Sequence, residues 1–228
     1  MAKEIERQVV IPGEVIAKGN NYLPGEGTEK NGDEIVALRY GLSEESNKLV
    51  KVIALSGVYQ PRRGNTVIGK VEGLTFNGWI LNVGASENAF LPLSEVPRFV
   101  AKGELADVFD IGDLVMGKIV GVNGRGIDIT VKARGLGRVD GGMIMEVNPN
   151  KVPRIIGKEG SMISLIKNET GCNITVGQNG FVWIQGKKVE DELFVRKAIN
   201  FVSEKSYLQG LTEEVQKWFD KEKGGKKK

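Results

Sequence analysis

The sequence predicts a multidomain chain of 228 residues, mainly β and then α/β: a small N-terminal β domain, a five-stranded barrel and a βααββα domain. Three observations predict it. Short β-rich runs punctuated by Gly and Pro fill the chain from its start to about residue 135. Five of those runs are packed between Thr66 and Val131, a strand density that suits a small closed barrel. Beyond Gly142 the pattern changes to strand, two short helices, two strands and a long amphipathic helix. The expected domains are 1–61, 62–135 and 136–221, with 222–228 a Lys-rich disordered tail.

Composition narrows the chemistry. Hydrophobic content of 40% and charged content of 27% are ordinary for a soluble domain, and no apolar run approaches a membrane span. The N-terminus lacks an apolar secretory core, so a cytoplasmic protein with no membrane partner is expected. One cysteine, Cys172, excludes an internal disulfide framework and a zinc ribbon. With no histidine, Ser-His and Cys-His nucleophile pairs are excluded. No tight carboxylate cluster suggests a metal pair, so no catalytic residue, metal or cofactor is expected. The net charge of +3 resides in the tail: without residues 221–228 the chain has 27 basic and 28 acidic residues. Nucleic-acid contact must then come from local patches.

In the first domain, Val9-Val10-Ile11 runs into a Pro12-Gly13-Glu14 turn, and Ile35 to Leu38 and Lys48 to Leu55 read as strands. About 60 residues make a small independent core, so packing against a partner is expected. Gln60-Pro61-Arg62-Arg63-Gly64 marks the first boundary. The barrel strands are Thr66 to Val71, Gly78 to Val83, Asn88 to Leu91, Leu114 to Val122 and Ile127 to Val131. In the last, Ile127, Ile129 and Val131 alternate with Asp128, Thr130 and Lys132, the period of a half-buried strand. A Greek-key barrel of the OB type follows. Trp79 reads either as core packing or as a platform for RNA bases.

Gly-rich residues 134–142 form the second boundary. The elements after it are a strand (Met143 to Val147), helix (Lys151 to Ile156), helix (Ser161 to Glu169), two strands (Asn173 to Val176, Phe181 to Gln185) and helix (Val189 to Ser206). The two short helices are joined by Gly157-Lys158-Glu159-Gly160. Glycines there let a sugar-phosphate backbone approach the amides that open the next helix, and Lys158 adds a positive charge. About four GxxG matches are expected by chance in so Gly-rich a chain, Gly121 to Gly124 and Gly177 to Gly180 among them. The element order distinguishes this one. It resembles the type I KH domain, whose GxxG loop clamps single-stranded nucleic acid. A last helix, with Thr212 as N-cap and Leu211, Val215, Trp218 and Phe219 on one face, reads as core packing or a partner site.

The barrel segment, from Gly64-Asn65-Thr66-Val67-Ile68-Gly69-Lys70-Val71 through Gly78 and Leu93-Ser94-Glu95 to Ile111-Gly112-Asp113, resembles the S-one RNA-binding repeat. Members often carry aromatics and a His on the RNA face, where this chain has Asn77, Ile80 and Pro92. The whole chain from about residue 8 to 210 resembles the KH-bearing cap subunits of the archaeal RNA exosome, the ribosomal-RNA-processing-protein-four family. The carrying residues include Val10-Ile11-Pro12-Gly13-Glu14, Gly25-Glu26-Gly27-Thr28, Asn47-Lys48-Leu49-Val50 and Leu91-Pro92-Leu93-Ser94.

That resemblance implies a non-catalytic subunit. Three caps would sit on a hexameric ring of two RNase PH-like subunit types that shortens RNA from its 3′ end by phosphorolysis. The N-terminal domain would dock on the ring, and the barrels would surround the pore and thread single-stranded RNA inward. The candidate RNA-binding residues are Gly157, Lys158 and Gly160 of the KH loop and Arg125, Arg62, Arg63, Arg98 and Lys102 of the barrel and its approaches. Two other readings are a free-standing RNA-binding regulator of translation or transcription and a nuclease in its own right.

Overall fold

The computed structural model describes residues 8–101, 103–124, 126–206 and 210–224. They divide into two units, Met1–Gly57 and Val58–Lys228. In the first, β1 (Val9–Val10), β6 (Gly41–Ser46), β7 (Leu49–Ala54) and β3 (Leu23–Pro24) form one sheet in the order β1-β6-β7-β3. Strands β2 (Val15–Lys18), β5 (Glu34–Ala37) and β4 (Thr28–Asn31) form another, in the order β2-β5-β4. Val10, Ile35, Ala37, Val50 and Val52 are buried hydrophobic side chains of this unit. Strand β6 was not expected, because Gly41-Leu42-Ser43-Glu44-Glu45-Ser46 is too polar to stand out. It forms because Asn47 and Lys48 both adopt positive φ (50° and 68°), making the tight hairpin that pairs Ser46 with Leu49.

The second unit begins with a barrel of β8 (Thr66–Thr75), β9 (Gly78–Asn82), β10 (Ala89–Pro92), β11 (Leu114–Asn123) and β12 (Gly126–Thr130). The order β12-β10-β9-β8-β11 closes through pairing of β11 with β12, which leaves no free edge among these five. The predicted alternation holds: Ile127, Ile129 and Val131 are buried in the barrel. Thr130 is buried as well, because the loop after β10 crosses it and accepts its hydroxyl at Glu95 O. Trp79 is core. Its ring meets Phe109 edge-on, and its indole Nε1 donates to Phe109 O at 2.9 Å. Between β10 and β11 lies a short helix, α1 (Leu105–Val108). Tyr59 joins the barrel core ahead of the Arg62-Arg63 pair. The Gly-rich stretch also contributes β13 (Gly137–Val139), which extends the sheet along β11 and is fastened by Arg138 to Asp113.

The α/β part has the predicted order: β14 (Met143–Glu146), α2 (Val152–Ile156), α3 (Ser161–Thr170), β15 (Asn173–Val176), β16 (Phe181–Gln185) and α4 (Val189–Glu204). The sheet order is β14-β16-β15, antiparallel throughout. Ile155, Ile166, Ile184, Val195 and Ile199 fill its core. The final helix, α5 (Leu211–Gly224), is part of that core: Leu211, Val215 and Phe219 are buried, and Trp218 stacks between Phe194 and Phe201 at 5.5 and 5.4 Å. Its cap is Gly210, whose carbonyl accepts from Glu213 and Glu214; Thr212 lies inside the first turn instead of capping it. The helix runs through Gly224, into the expected tail, since Lys221 and Glu222 are good helix formers. No described helix is long and apolar enough to cross a membrane.

A further tetrapeptide of the GxxG form, Gly177 to Gly180, has a structural task. It is the β15–β16 turn, and it fills a gap beside β8 where β9 stops short. Gln178 N–H donates to Thr66 O, and its side-chain oxygen accepts from Thr66 N–H. Asn179 is buried. It accepts from Ile68 N–H and donates to Ile68 O and Val83 O. A Cβ on Gly177 would lie 3.0 Å from Ile68 N, and one on Gly180 2.3 Å from Val147 O, so both positions need glycine. The turn thus fixes the KH sheet on the barrel wall.

Candidate nucleic-acid interface

Strand alternation decides what the barrel presents outward. On β9 and β10 the inward set is Trp79, Leu81, Ala89 and Leu91, and the outward set is Ile80, Asn82, Phe90 and Pro92. Phe90 pairs with Ile80 across the strands and lies over Gly78, where a Cβ would come within 2.9 Å of its ring. This is the OB-fold face that takes oligonucleotides, bounded by the β8–β9 and β11–β12 turns. It therefore has an aromatic, two residues before Pro92 on the same strand and opposite Ile80. Acidic groups collect toward the β11–β12 turn. Glu72 accepts from Asn82 and Asn88, and Asp128 accepts from Asn123.

Of the expected basic residues of the barrel and its approaches, Arg62, Arg63 and Arg98 lie among the described residues. Arg62 and Arg63 are exposed just before β8, where Gly64 N–H donates to Ile119 O. Arg98 is exposed in the loop after β10, whose last residue, Pro92, pairs with Gly78. Arg125 and Lys102 lie outside the described residues.

In the KH loop the two glycines differ. Gly157 (φ 76°) sits against the N-terminus of α3, and a Cβ there would be 2.6 Å from Met162 N. Its bareness keeps that amide end uncovered. Gly160 (φ 80°) has only Ile163 nearby, at 3.9 Å, so its glycine is needed for backbone angle alone. Lys158 and Glu159 are both exposed, and Glu159 holds a left-handed φ of 54°. The loop is near neutral by itself; Arg154, on α2 before the Gly157 kink, is also exposed.

A separate surface stands out in the first unit. On the outer face of its β1-β6-β7-β3 sheet, Val9 pairs with Leu42 and Leu42 with Ile53, forming one apolar row. Leu23 beside Leu49 forms another. Between the rows Lys51 bridges Glu44 at 2.6 Å. Val9, Leu23, Leu49 and Ile53 are all exposed, an apolar face of the kind that marks protein contact.

Comparison with known proteins agrees with these features. A protein-family model described as a KH domain matches residues 142–190. The chain is 39% identical over 217 residues to the exosome complex component Rrp4 of Methanothermobacter thermautotrophicus, covering 95% of this chain and 69% of that one. It is 38% identical over 220 residues to the Rrp4 of Nitrosopumilus maritimus, covering 95% and 97%. A crystal structure of an exosome complex RNA-binding protein superimposes with a TM-score of 0.67 at 28% identity, covering 75% of this chain and all of that one.

Proposed function

The chain belongs to the Rrp4 family of exosome complex components, and on that premise we propose that it is an RNA-binding cap subunit of a cytoplasmic exosome. It captures single-stranded RNA and feeds it to a hexameric ring of RNase PH-like subunits that shortens RNA from the 3′ end by phosphorolysis. Three caps crown each ring. The subunit itself does no chemistry, in keeping with a chain that has no histidine and one buried cysteine whose thiol is raised by burial away from the reactive thiolate.

The observation that carries the assembly half of this reading is the exposed pair of apolar rows on the first unit. An apolar face flanking an ion pair suits a permanent protein contact, and leaving it in water would be unfavourable. The RNA half is supported by the KH order with its bare α3 amide end and by the outward face of the barrel. Mixing the protein with the purified ring and running size-exclusion chromatography tests it. Co-elution is expected, and Leu23→Asp should abolish it while preserving the fold. Separate elution of the unaltered protein would refute the cap assignment and leave the free-standing RNA-binding reading in its place.

A further inference from the structure

Two phenylalanines at one end of the barrel take no part in its core. Phe76, in the β8–β9 turn, is 75% exposed, and Phe99, in the loop between β10 and α1, is 94% exposed. The register brings their segments to the same end: Thr75 and Pro92 both pair with Gly78, and Leu93 N–H donates to Asn77 O at 3.0 Å. Arg98 precedes Phe99, is exposed, and among the described residues makes a long 3.5 Å contact from its guanidinium to Asp107 O.

We infer that Phe76 and Phe99 are stacking platforms for the bases of single-stranded RNA, with Arg98 holding a backbone phosphate between them. This rests on the RNA-binding reading above and deepens it. Asn77, Ile80 and Pro92 are not aromatic, so the two loop rings add π-surface beyond that of Phe90 on the strands. Arg98 supplies a positive charge at that end, in a connection that also carries the exposed Glu104, Asp107 and Asp110. Glu72 and Asp128 lie toward the β11–β12 turn, together with Glu87, whose carboxylate reaches the neighbourhood of Gly126. A polyanion is disfavoured at that turn, where no described cation offsets the three carboxylates. The form of the surface separates RNA from protein as occupant. A protein interface needs a contiguous apolar core, like the rows on the first unit. A base needs one aromatic face with a cation nearby, and it tolerates the polar Asn77 and Arg98 that flank these rings.

The test is fluorescence anisotropy of the full-length protein with labelled oligoadenylate and oligouridylate. Phe76→Ala and Phe99→Ala should each weaken binding about five-fold or more, for both oligonucleotides alike, because every base has a π-face. Phe99→Trp should retain affinity, whereas Phe99→Leu, apolar without a π-system, should not. The phenylalanine variants should keep the parent salt dependence, and Arg98→Ala should flatten its logarithmic slope by about 0.7. Circular dichroism melting of each variant controls for folding. A Phe76→Ala/Phe99→Ala double variant that binds as tightly as the parent would overturn the inference while leaving the RNA-binding reading intact. So would unchanged RNA affinity with loss of co-elution from the ring, which would assign the rings to protein contact. A parent protein that binds neither oligonucleotide would overturn both.

Discussion

Replacing Asn179 with alanine should loosen the barrel from the KH sheet. The side chain is 4% exposed and makes three hydrogen bonds, from Ile68 N–H at 3.2 Å and to Ile68 O and Val83 O at 2.7 and 2.9 Å. Alanine would leave three buried backbone groups without that partner, each costing roughly 1–3 kcal/mol. Carbonyls tolerate loss of a partner better than N–H groups do, so a total near the lower end, about 3 kcal/mol, is expected. For a unit of this size that corresponds to a fall in melting temperature of roughly 6–12 °C. Differential scanning calorimetry measures it, and amide hydrogen exchange at Ile68 localises it. Asn179→Asp should be worse, because it keeps the acceptor for Ile68 N–H but turns a charged oxygen toward two carbonyls. An Asn179→Ala variant that melts with the parent and keeps Ile68 protected would show that the turn merely rests on the barrel.

Two further outcomes can be measured. Lys158→Asp, at an exposed position, should lower RNA affinity and reduce the logarithmic salt slope by about 0.7 without shifting the melting temperature; an unaltered slope would remove the KH loop from the RNA path. Gly157→Asp is a poorer probe, since its Cβ would press on Met162 N at 2.6 Å and disturb the fold itself. Tyr59 donates to Asn65 Oδ1 at 2.7 Å, and burial pushes its phenol from 10.0 to about 12. The folded state holds this proton more tightly than the unfolded state does. The associated stability is therefore complete below about pH 10 and is lost as pH rises toward 12. Comparing the tyrosinate absorbance of the parent with that of Tyr59→Phe should show one phenol titrating late; ionisation near the ordinary value would refute the buried placement.

Much of the architecture was legible because it follows from local pattern. The 2-residue period of Ile127 to Val131, the turn glycines and the amphipathic run from Val189 are properties of neighbouring residues, and they predicted strands and helices close to those observed. The resemblance to a known family was legible for the same reason, since short motifs at set spacing survive in sequence. Strands β6 and β13 were not, because their residues are polar or glycine-rich and they form only when a neighbouring strand supplies the hydrogen bonds.

The candidate site shows the same division. The sequence by itself determined that a GxxG loop joins two helices, that no histidine is present and that the body carries little net charge. It could not separate the two GxxG turns by function, since the difference lies in what each meets: Gly157 an amide end of α3, Gly177 the backbone of Ile68, more than a hundred residues away in the chain. Nor could it tell that Trp79 is sealed in the core while Phe76 and Phe99 stand in water. Exposure depends on strand direction, register and barrel closure, and those are set by contacts between distant segments. Only the tertiary structure decides them.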